Sequence, residues 1–535
     1  MKLKILYIYP YETWGTPNIL SAFLRISNYL NSRKKELNGF IKERYLDLRH
    51  ENLPKFTPDN LESYRNNLKK LLKKIYKRFK FKLVAIACYS SYNYTNTIEV
   101  ANCIKNNINN DCIMVVGGPH ATMRPQDFLP QELPKKLINI YPKNTTPFDY
   151  IIREEGEIPF FILVRDYLNG TLIKRNNNAS PCIVIENKNN SNIFQNLNNL
   201  PIINLKLYKR YKKIFNTTKR LYLDFSRGCL YKCNFCTNSA NYITCYKKIR
   251  VKSIRKCIEE LKVIQKTKWL HIEDLYITDM IFLPKKKLRE EFFEKLEVMH
   301  KKGKIFLFNF VVSERVEFCT NEILENYKKF NIMASVGLES LSKTYLFRVG
   351  KCLGKNNQDI EKGIENYLNN FKRIVKAANN LDLNIRFNYL MGAPGSNLET
   401  IQEDWDFLFK NDNNELPLAE TYKINFQFNK YLHHYGSYFY DYAETEYGTK
   451  IHYKKWWKEF SEYQAQKSIL VDPFNGFTIE QSLKHTFDLI KKIYSAQNKL
   501  RNKYYSLYTL LNINKDRMIN YGWYEELFKK TQTII

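Results

Sequence analysis

The sequence predicts an α/β chain in which two parallel-sheet units follow one another and a mainly helical region closes the C-terminus. Three observations carry that prediction. Strand-length apolar runs alternate with helix-length amphipathic segments through the first 165 residues. A second alternation, with six strands, runs from residue 218 into the segment after 416. Between the two, a tight cysteine group follows directly on a strand and a glycine. Strands joined through helices argue for parallel pairing, because parallel neighbours need a crossover connection and a helix supplies one.

The first unit, residues 1–165, opens with the strand KILYIYP and the helix SAFLRISNYL. The strand FKLVAIACYS, the helix TNTIEVANCIKNN, the strand DCIMVVGGP and the strand DYIIRE with its following helix complete it. VAIAC and CIMVVGG are continuous apolar runs ending in small or polar residues, the pattern of buried strands that open into a site. A doubly wound parallel sheet of this kind binds ligands in the crevice at its strand C-termini. Residues 166–217, rich in Asn and Lys and containing Asn199-Leu200-Pro201, read as a linker with a short hairpin.

The second unit, residues 218–415, begins with the strand LYLDFS and the cysteine loop. A helix near 253–266, the strand WLHIEDLYIT ending at Asp279, and a helix near 285–301 follow. Next come the strand IFLFNFVV, a helix at 321–330, the strand IMASVGLE and a long helix near 360–379. The strand LNIRFNYLMG and a helix near 398–411 end it. Residues 416–535 hold the last strand, TYKINFQF, then the aromatic stretch HHYGSYFYDYAETEYG, then KKWWKEF and helices near 478–510. His433, His434, Tyr435, Trp456 and Trp457 are candidates to line a substrate pocket there, although tryptophan pairs are more often packing residues. A barrel places its chemistry at the C-terminal ends of its strands, which is where the cysteine loop falls.

A chain of 535 residues with 44% apolar and 15% aromatic residues is long and apolar enough for two or three cored domains. Its formal charge of +31 would suggest an anionic partner. The excess is spread along the chain in Lys and Arg pairs on solvated helix faces, so nucleic acid is not the expected partner. No stretch reaches the roughly 20 apolar residues of a membrane span. The start MKLKILYIYPYETWG reads as a strand and loop, not a signal peptide, and the expected location is cytoplasmic. Eleven cysteines are too sparse for a disulfide framework. Cys88, Cys103, Cys112, Cys182, Cys257, Cys319 and Cys352 are scattered and read as small core or surface residues.

Cys229, Cys233 and Cys236 form a Cys-x3-Cys-x2-Cys run within LYLDFSRGCLYKCNFCTNSA, with Gly228 to turn the chain. Three thiolates so close converge on a common metal or cluster. Structural zinc would want a fourth ligand, for which Cys245 is the nearby candidate, and disulfide chemistry would need only two thiols. Three ligands on a four-iron, four-sulfur cluster leave one iron open to coordinate and reduce a small molecule. At this point the chain resembles the radical S-adenosylmethionine (SAM) superfamily, whose hallmark is this spacing with an aromatic residue before the last cysteine, here Phe235. The resemblance implies a 4Fe-4S cluster whose open iron chelates SAM, and reductive cleavage of SAM to a 5′-deoxyadenosyl radical.

Six strands match the partial (β/α)6 barrel of that superfamily. Gly337-Leu338-Glu339-Ser340 stands where the family has its GlES signature, which implies that Glu339 binds the SAM ribose. Gly392-Ala393-Pro394-Gly395 matches the GxPG turn near the adenosyl group. By resemblance Phe235, Asp279, Glu339, Gly392 and Pro394 are the SAM-binding candidates. Arg315 and Lys351 also fall at familiar positions. Asp279 has a plainer reading as a helix cap, and Arg315 as a solvated charge.

The first unit resembles the cobalamin-binding domain that precedes the barrel in the cobalamin-dependent, class B methyltransferase-like group. Ser90, Ser91, Gly117, Gly118, Pro119, His120, Glu155 and Gly156 are the cobalamin-binding candidates on that resemblance. The Asp-x-His-x-x-Gly motif that supplies a histidine axial ligand is absent, so His120 is not assigned that role. The implied function is cobalamin-dependent methylation of an unactivated carbon, or of phosphorus, in a small-molecule or peptide substrate. An electron donor such as flavodoxin or ferredoxin is the implied partner. The alternatives are a radical cyclase, rearrangement or oxidation enzyme, an RNA methylthiotransferase, and a non-catalytic cluster- or cobalamin-binding sensor. The extra cysteine triad and RNA-binding tail of the methylthiotransferases are not visible, and the Glu339 and GxPG matches count against the sensor.

Overall fold

The structure, a computed structural model, describes residues 2–11, 21–134, 145–173, 182–186, 193–239, 247–303, 308–352, 357–411, 416–458 and 470–501. Two six-stranded sheets organise them, and every pairing between neighbouring strands is parallel.

The first sheet comprises β1 (Lys2–Tyr9), β2 (Phe40–Asp47), β3 (Leu83–Ala87), β4 (Ile113–Gly117), β5 (Tyr150–Ile152) and β6 (Ile183–Ile185), in the order β2-β1-β3-β4-β5-β6. Helices α1 (Ala22–Ser32) and α5 (Glu157–Asn169) pack together, as do α2 (Leu61–Phe79) and α3 (Tyr94–Asn107), while the short α4 (Pro119–Met123) follows β4. The strand order reverses between β1 and β3, and the crevice at their C-terminal ends is where such folds bind ligands.

Three elements correct the sequence reading. The strand β2 and the helix after it were not among the expected elements, because FIKERYLD carries three consecutive charges at Lys42–Arg44 and shows no apolar run. It is an edge strand, where charge blunts an open row of backbone donors and acceptors. The hairpin expected within 166–217 is absent among the described residues: Ile183–Ile185 instead joins β5 in parallel as the opposite edge.

The second sheet comprises β7 (Arg220–Leu223), β8 (Asp274–Ile277), β9 (Asn309–Arg315), β10 (Ile332–Glu339), β11 (Ile385–Met391) and β12 (Asn425–Lys430), each beside its sequence neighbour. Burial alternates with the strand period of two. Leu221, Leu275, Phe310, Ala334, Phe387 and Phe426 are buried, while the intervening Tyr222, Tyr276, Val311, Ser335, Asn388 and Gln427 are half-buried. The buried face packs on α6 (Ile254–Lys266), α7 (Lys286–Lys301), α8 (Asn321–Lys329), α9 (Lys343–Arg348), α10 (Asn357–Asn380) and α11 (Leu398–Phe409). The half-buried face carries a polar ladder: Asn388 Nδ2 donates to Ser335 Oγ at 2.9 Å, Asn429 Nδ2 to Asn388 Oδ1 at 3.3 Å, and Arg386 Nη1 to Gln427 Oε1 at 3.1 Å. Thr320 and Asn397 cap α8 and α11 by accepting from Ile323 N and Thr400 N, so these starts follow ordinary capping rules.

Beyond β12, α12 (Tyr438–Tyr447) and α13 (Ile479–Arg501) close the described chain. The helices expected near 478–510 are one helix as far as residue 501, and the remainder lies outside the described residues. Among the described residues no helix is long and apolar enough to cross a membrane.

Candidate functional site

The cysteine loop leaves β7 at the C-terminal end of the second sheet. Asp279, just past β8, accepts from both Phe225 N and Ser226 N at 2.8 Å, which fixes where the loop begins. Gly228 turns the chain at φ 93°. Downstream, Asn234 pins the loop: its N donates to Val349 O at 2.9 Å, its Nδ2 to Arg348 O at 2.8 Å, and its O accepts from Phe439 N at 3.0 Å. Cys233 is buried, with Cys229 and Cys236 half-buried. Burial pushes the Cys229 thiol up and the Cys236 thiol up to about 12, and the charge of Cys233 adds to both, so the three sulfurs lie within mutual electrostatic reach. Arg315 Nη1 points at Cys233 Sγ at 3.5 Å, and its guanidinium lies 3.6 Å over the Tyr231 ring. Three thiols on a pinned loop, with the buried Arg315 of β9 beside one of them, are a donor set whose chemistry fits a thiolate-held cluster. Among the described residues no three His, Cys, Asp or Glu side chains are grouped to hold a single metal ion. Cys245 lies outside the described residues.

The remaining strand ends converge on the same rim. Glu339 closes β10 with a left-handed φ of 69°, just after a register shift between Gly337 and Glu339. Lys351 Nζ donates to Glu339 Oε1 at 3.0 Å. A Cβ on Gly337 would stand 2.8 Å from that oxygen and 2.9 Å from Lys351 Nζ, so glycine is what leaves room for the pair. Arg315 Nη2 donates to Lys351 O and to Glu317 Oε1, linking the pair to the cysteine loop. Phe235 packs in a cluster with Val349, Ala393, Tyr431 and Phe439, which brings it beside the Gly392–Gly395 turn. Gly392 and Gly395 have φ 65° and 84°, and Gly395 O accepts from Arg348 Nη1 at 2.7 Å.

Asp279 sits apart from this group, buried under the start of the loop. Its second oxygen, Oδ2, is buried as well. Burial raises its pKa to about 7, against the backbone N–H groups of Ser226 and Phe225 and the Ser226 side chain. The folded chain therefore holds a proton there that the unfolded chain releases near pH 4, so stability falls as pH rises from about 4 through about 7. Asp279→Asn keeps an acceptor for the two N–H groups and cannot ionise. Its melting temperature relative to the wild type should rise between pH 5 and pH 8, as read by scanning calorimetry at both values.

At the C-terminal edge of the first sheet lies a cavity of about 350 Å³, within the ordinary range for small-molecule sites. Gly117, Gly118, Pro119, Glu155 and Gly156 line one side, and Ser226, Arg227 and Gly228 of the cysteine loop line another. Gly118 has φ 104°, and a Cβ there would stand 2.7 Å from the Cys88 carbonyl oxygen, so no other residue fits. A small-residue floor at the ends of β3 and β4 suits a cofactor that approaches the backbone closely.

The other three cobalamin candidates do not line this cavity. Ser90 caps the turn at Ser91–Asn93. Ser91 Oγ and His120 Nδ1 are 2.9 Å apart, and His120 Nε2 is 3.4 Å from Asp127 Oδ2. His120 thus faces the C-terminal segment, and burial lowers its pKa. Burial opposes ionisation of Asp127, but His120, Lys458 and Arg124 outweigh it and hold the carboxyl below the usual range. Trp457 Nε1 donates to Asp127 Oδ2 at 2.7 Å, and Lys458 Nζ lies 3.2 Å from Oδ1. Trp456 packs on Tyr92 at 5.0 Å between ring centroids. The tryptophan pair therefore clamps the C-terminal segment to the first sheet. A hydrogen bond to a charged group is worth about 1.5–3 kcal/mol, so Trp457→Phe should speed amide exchange in residues 431–458 and leave β1–β5 protected. His433 and His434 are held neutral, pushed down by burial to about 3 and about 4.

Sequence reasoning missed several residues here. Cys352, read as scattered, is in electrostatic reach of Cys233. Arg25, Asp224, Lys252 and Glu260 are buried and mutually paired between the two sheets, and nothing in their local sequence announces it.

No protein-family model matches the chain. An uncharacterized methyltransferase of Pyrococcus horikoshii is 27% identical over 198 residues, which is 36% of this chain and 38% of that protein. The solved structure of the cobalamin-dependent SAM radical enzyme OxsB with aqua-cobalamin bound superposes with a TM-score of 0.56 at 17% identity, over 78% of this chain and 53% of OxsB. The radical SAM methyltransferase TsrM from Kitasatospora setae, with cobalamin and a [4Fe-4S] cluster bound, gives 0.55 at 14% identity, over 80% of this chain and 75% of TsrM. The chain thus spans about half the length of OxsB and well under half of the archaeal relative.

Proposed function

We propose that this chain, whose fold is that of the cobalamin-dependent radical SAM enzymes, cleaves SAM reductively to a 5′-deoxyadenosyl radical and methylates an unactivated carbon, or phosphorus, of a small-molecule or peptide substrate. The observation that carries this reading is the wall shared by the two sites: the cavity on the first sheet is bounded by Ser226–Gly228, and Cys229 follows directly. Cobalamin in the cavity and a cluster on Cys229, Cys233 and Cys236 would be neighbours. When bound, the cluster supplies an electron and an open coordination position, and cobalamin supplies a methyl carrier.

The chain's own residues do the positioning. Glu339, aimed by the register shift and steadied by Lys351, offers a carboxylate to the SAM ribose. Phe235 and the Gly392–Gly395 turn approach the adenosyl group from the other side of the rim. Arg315 places positive charge beside the Cys233 sulfur. Asp279 holds the loop in place from below, a positioning role beside the SAM contact expected for it. Gly117, Gly118, Pro119, Glu155 and Gly156 form the cobalamin wall, with Ser90, Ser91 and His120 supporting the loop behind it. Flavodoxin or ferredoxin would deliver the electron, and the cytoplasm is the compartment proposed for the reaction.

The test is anaerobic purification, reconstitution with iron and sulfide, and incubation with SAM and a strong reductant, with and without cobalamin. 5′-Deoxyadenosine is expected with the cluster, and S-adenosylhomocysteine only when cobalamin is present. An intact cluster that forms no 5′-deoxyadenosine would sink the reading. 5′-Deoxyadenosine from a protein that takes up no cobalamin would move it to a cyclase or oxidation enzyme. Gly118→Ala, which drives a Cβ into a backbone carbonyl at a left-handed φ, is expected to lose bound cobalamin at unchanged iron content, as read from the visible spectrum and iron assay.

A further inference from the structure

Eight charged side chains lie in one connected network between the two sheets. Arg25 of α1 pairs with Asp224 at 2.7 Å and with Glu260 of α6 at 2.5 Å. Lys252 pairs with Glu260 at 3.0 Å and with Asp224 at 3.5 Å. Arg250 pairs with Glu155 at 2.6 Å. Arg227 ties the groups together, reaching Asp224 at 3.2 Å, Glu155 at 3.1 Å and Glu157 at 2.7 Å. Four cations balance four carboxylates, and Lys252 and Glu260 are fully buried.

Burying paired charges gains little over well-packed apolar residues of similar volume, whereas it constrains geometry strongly. The network is therefore a poor glue and a good register mark. Arg227 is the member that touches both sites: it lines the cavity and precedes Gly228 and Cys229 in sequence. Its partners are also held in place. Glu154, just before Glu155, has a left-handed φ of 63° and anchors through its N–H to Thr122 Oγ1 at 2.8 Å. A Cβ on Gly156 would stand 2.9 Å from Ile26 Cδ1, so the 154–157 loop sits directly on α1.

We infer that Arg227 is a positioning residue whose three ion pairs set the spacing between cobalamin in the cavity and the cluster on the adjoining loop, an inference that rests on the function proposed above. Its guanidinium fork spans three carboxylates on two units, which a single ammonium cannot reproduce in full.

The test uses the holoenzyme, loaded with cobalamin and cluster, and reads magnetic coupling. Electron-spin relaxation of cob(II)alamin is measured with the cluster oxidised and then reduced. Reduction is expected to speed relaxation in the wild type. Arg227→Gln should keep wild-type iron and cobalamin contents but lose most of this enhancement, and Arg227→Lys should recover part of it. Wild-type enhancement in Arg227→Gln with both cofactors bound would overturn the inference. Should Arg227→Gln misfold or lose a cofactor, Glu157→Gln, which removes one of the three anchors, is read the same way, and unchanged enhancement there overturns it. A wild type that takes up no cobalamin would overturn the functional reading as well, an outcome distinct from coupling that survives the substitution.

Discussion

Cys233→Ala is expected to lose cluster iron and reduce 5′-deoxyadenosine formation to background, the largest functional effect available in this chain. Cys233 is the most buried of the three thiols, it is the one Arg315 addresses, and its charge reaches both of the others. An alanine leaves two cysteines at the loop ends and takes away the sulfur that the buried Arg315 guanidinium points at, so neither the ligand count nor the local charge balance survives. Cys103→Ala is the control. That thiol is buried in α3, pushed up to about 12 by its surroundings, and belongs to the other unit. It should leave iron content and 5′-deoxyadenosine unchanged. Iron assay, the visible cluster band and product quantification decide the matter, and a Cys233→Ala protein that still forms 5′-deoxyadenosine would remove the basis for the proposed chemistry.

Asp224→Ala is expected to be the most damaging single change to stability. Asp224 faces Arg25, Arg227 and Lys252 at once, and removing it leaves the network's four cations, Arg25 and Lys252 among the buried ones, with three carboxylates. Breaking a buried pair costs about 3–5 kcal/mol. Burial opposes ionisation of Asp224, but the three cations outweigh it and hold its carboxyl far below the usual range. The sign with pH follows. A carboxylate with a depressed folded pKa contributes its full stability above the unfolded value near pH 4 and loses it as pH falls further. The wild type should therefore exceed Asp224→Ala most at neutral pH, and the gap should shrink below about pH 4. Hydrogen exchange gives the spatial check: protection should fall first in residues 154–157 and 225–236, where the network is anchored. Unchanged protection there would show that the eight charges do not join the two units.

How much of this was legible in the sequence depends on the range of the interaction concerned. The alternation of strands and helices, the spacing of Cys229, Cys233 and Cys236, and the small residues at Gly117-Gly118 and Gly392–Gly395 are local. A strand that is buried on one face must alternate, a loop that folds around a cluster must space its thiols closely, and a left-handed turn must use glycine. Those constraints act within a few residues, so the sequence by itself determined the four inner strands of the first sheet, the second sheet, the cysteine loop and the strand ends that meet at its rim. The polar edge strand β2 escaped because its register is imposed by β1 across 38 positions, from Lys2↔Phe40 onward. The remainder needed the tertiary structure. Arg25 and Glu260 are 235 residues apart, and Asp127 and Trp457 are 330 apart. A buried charge pair has no periodicity and can use any Arg, Lys, Asp or Glu that the fold brings near. Which of the 85 basic and 54 acidic residues are buried and matched is therefore decided only when the two sheets pack.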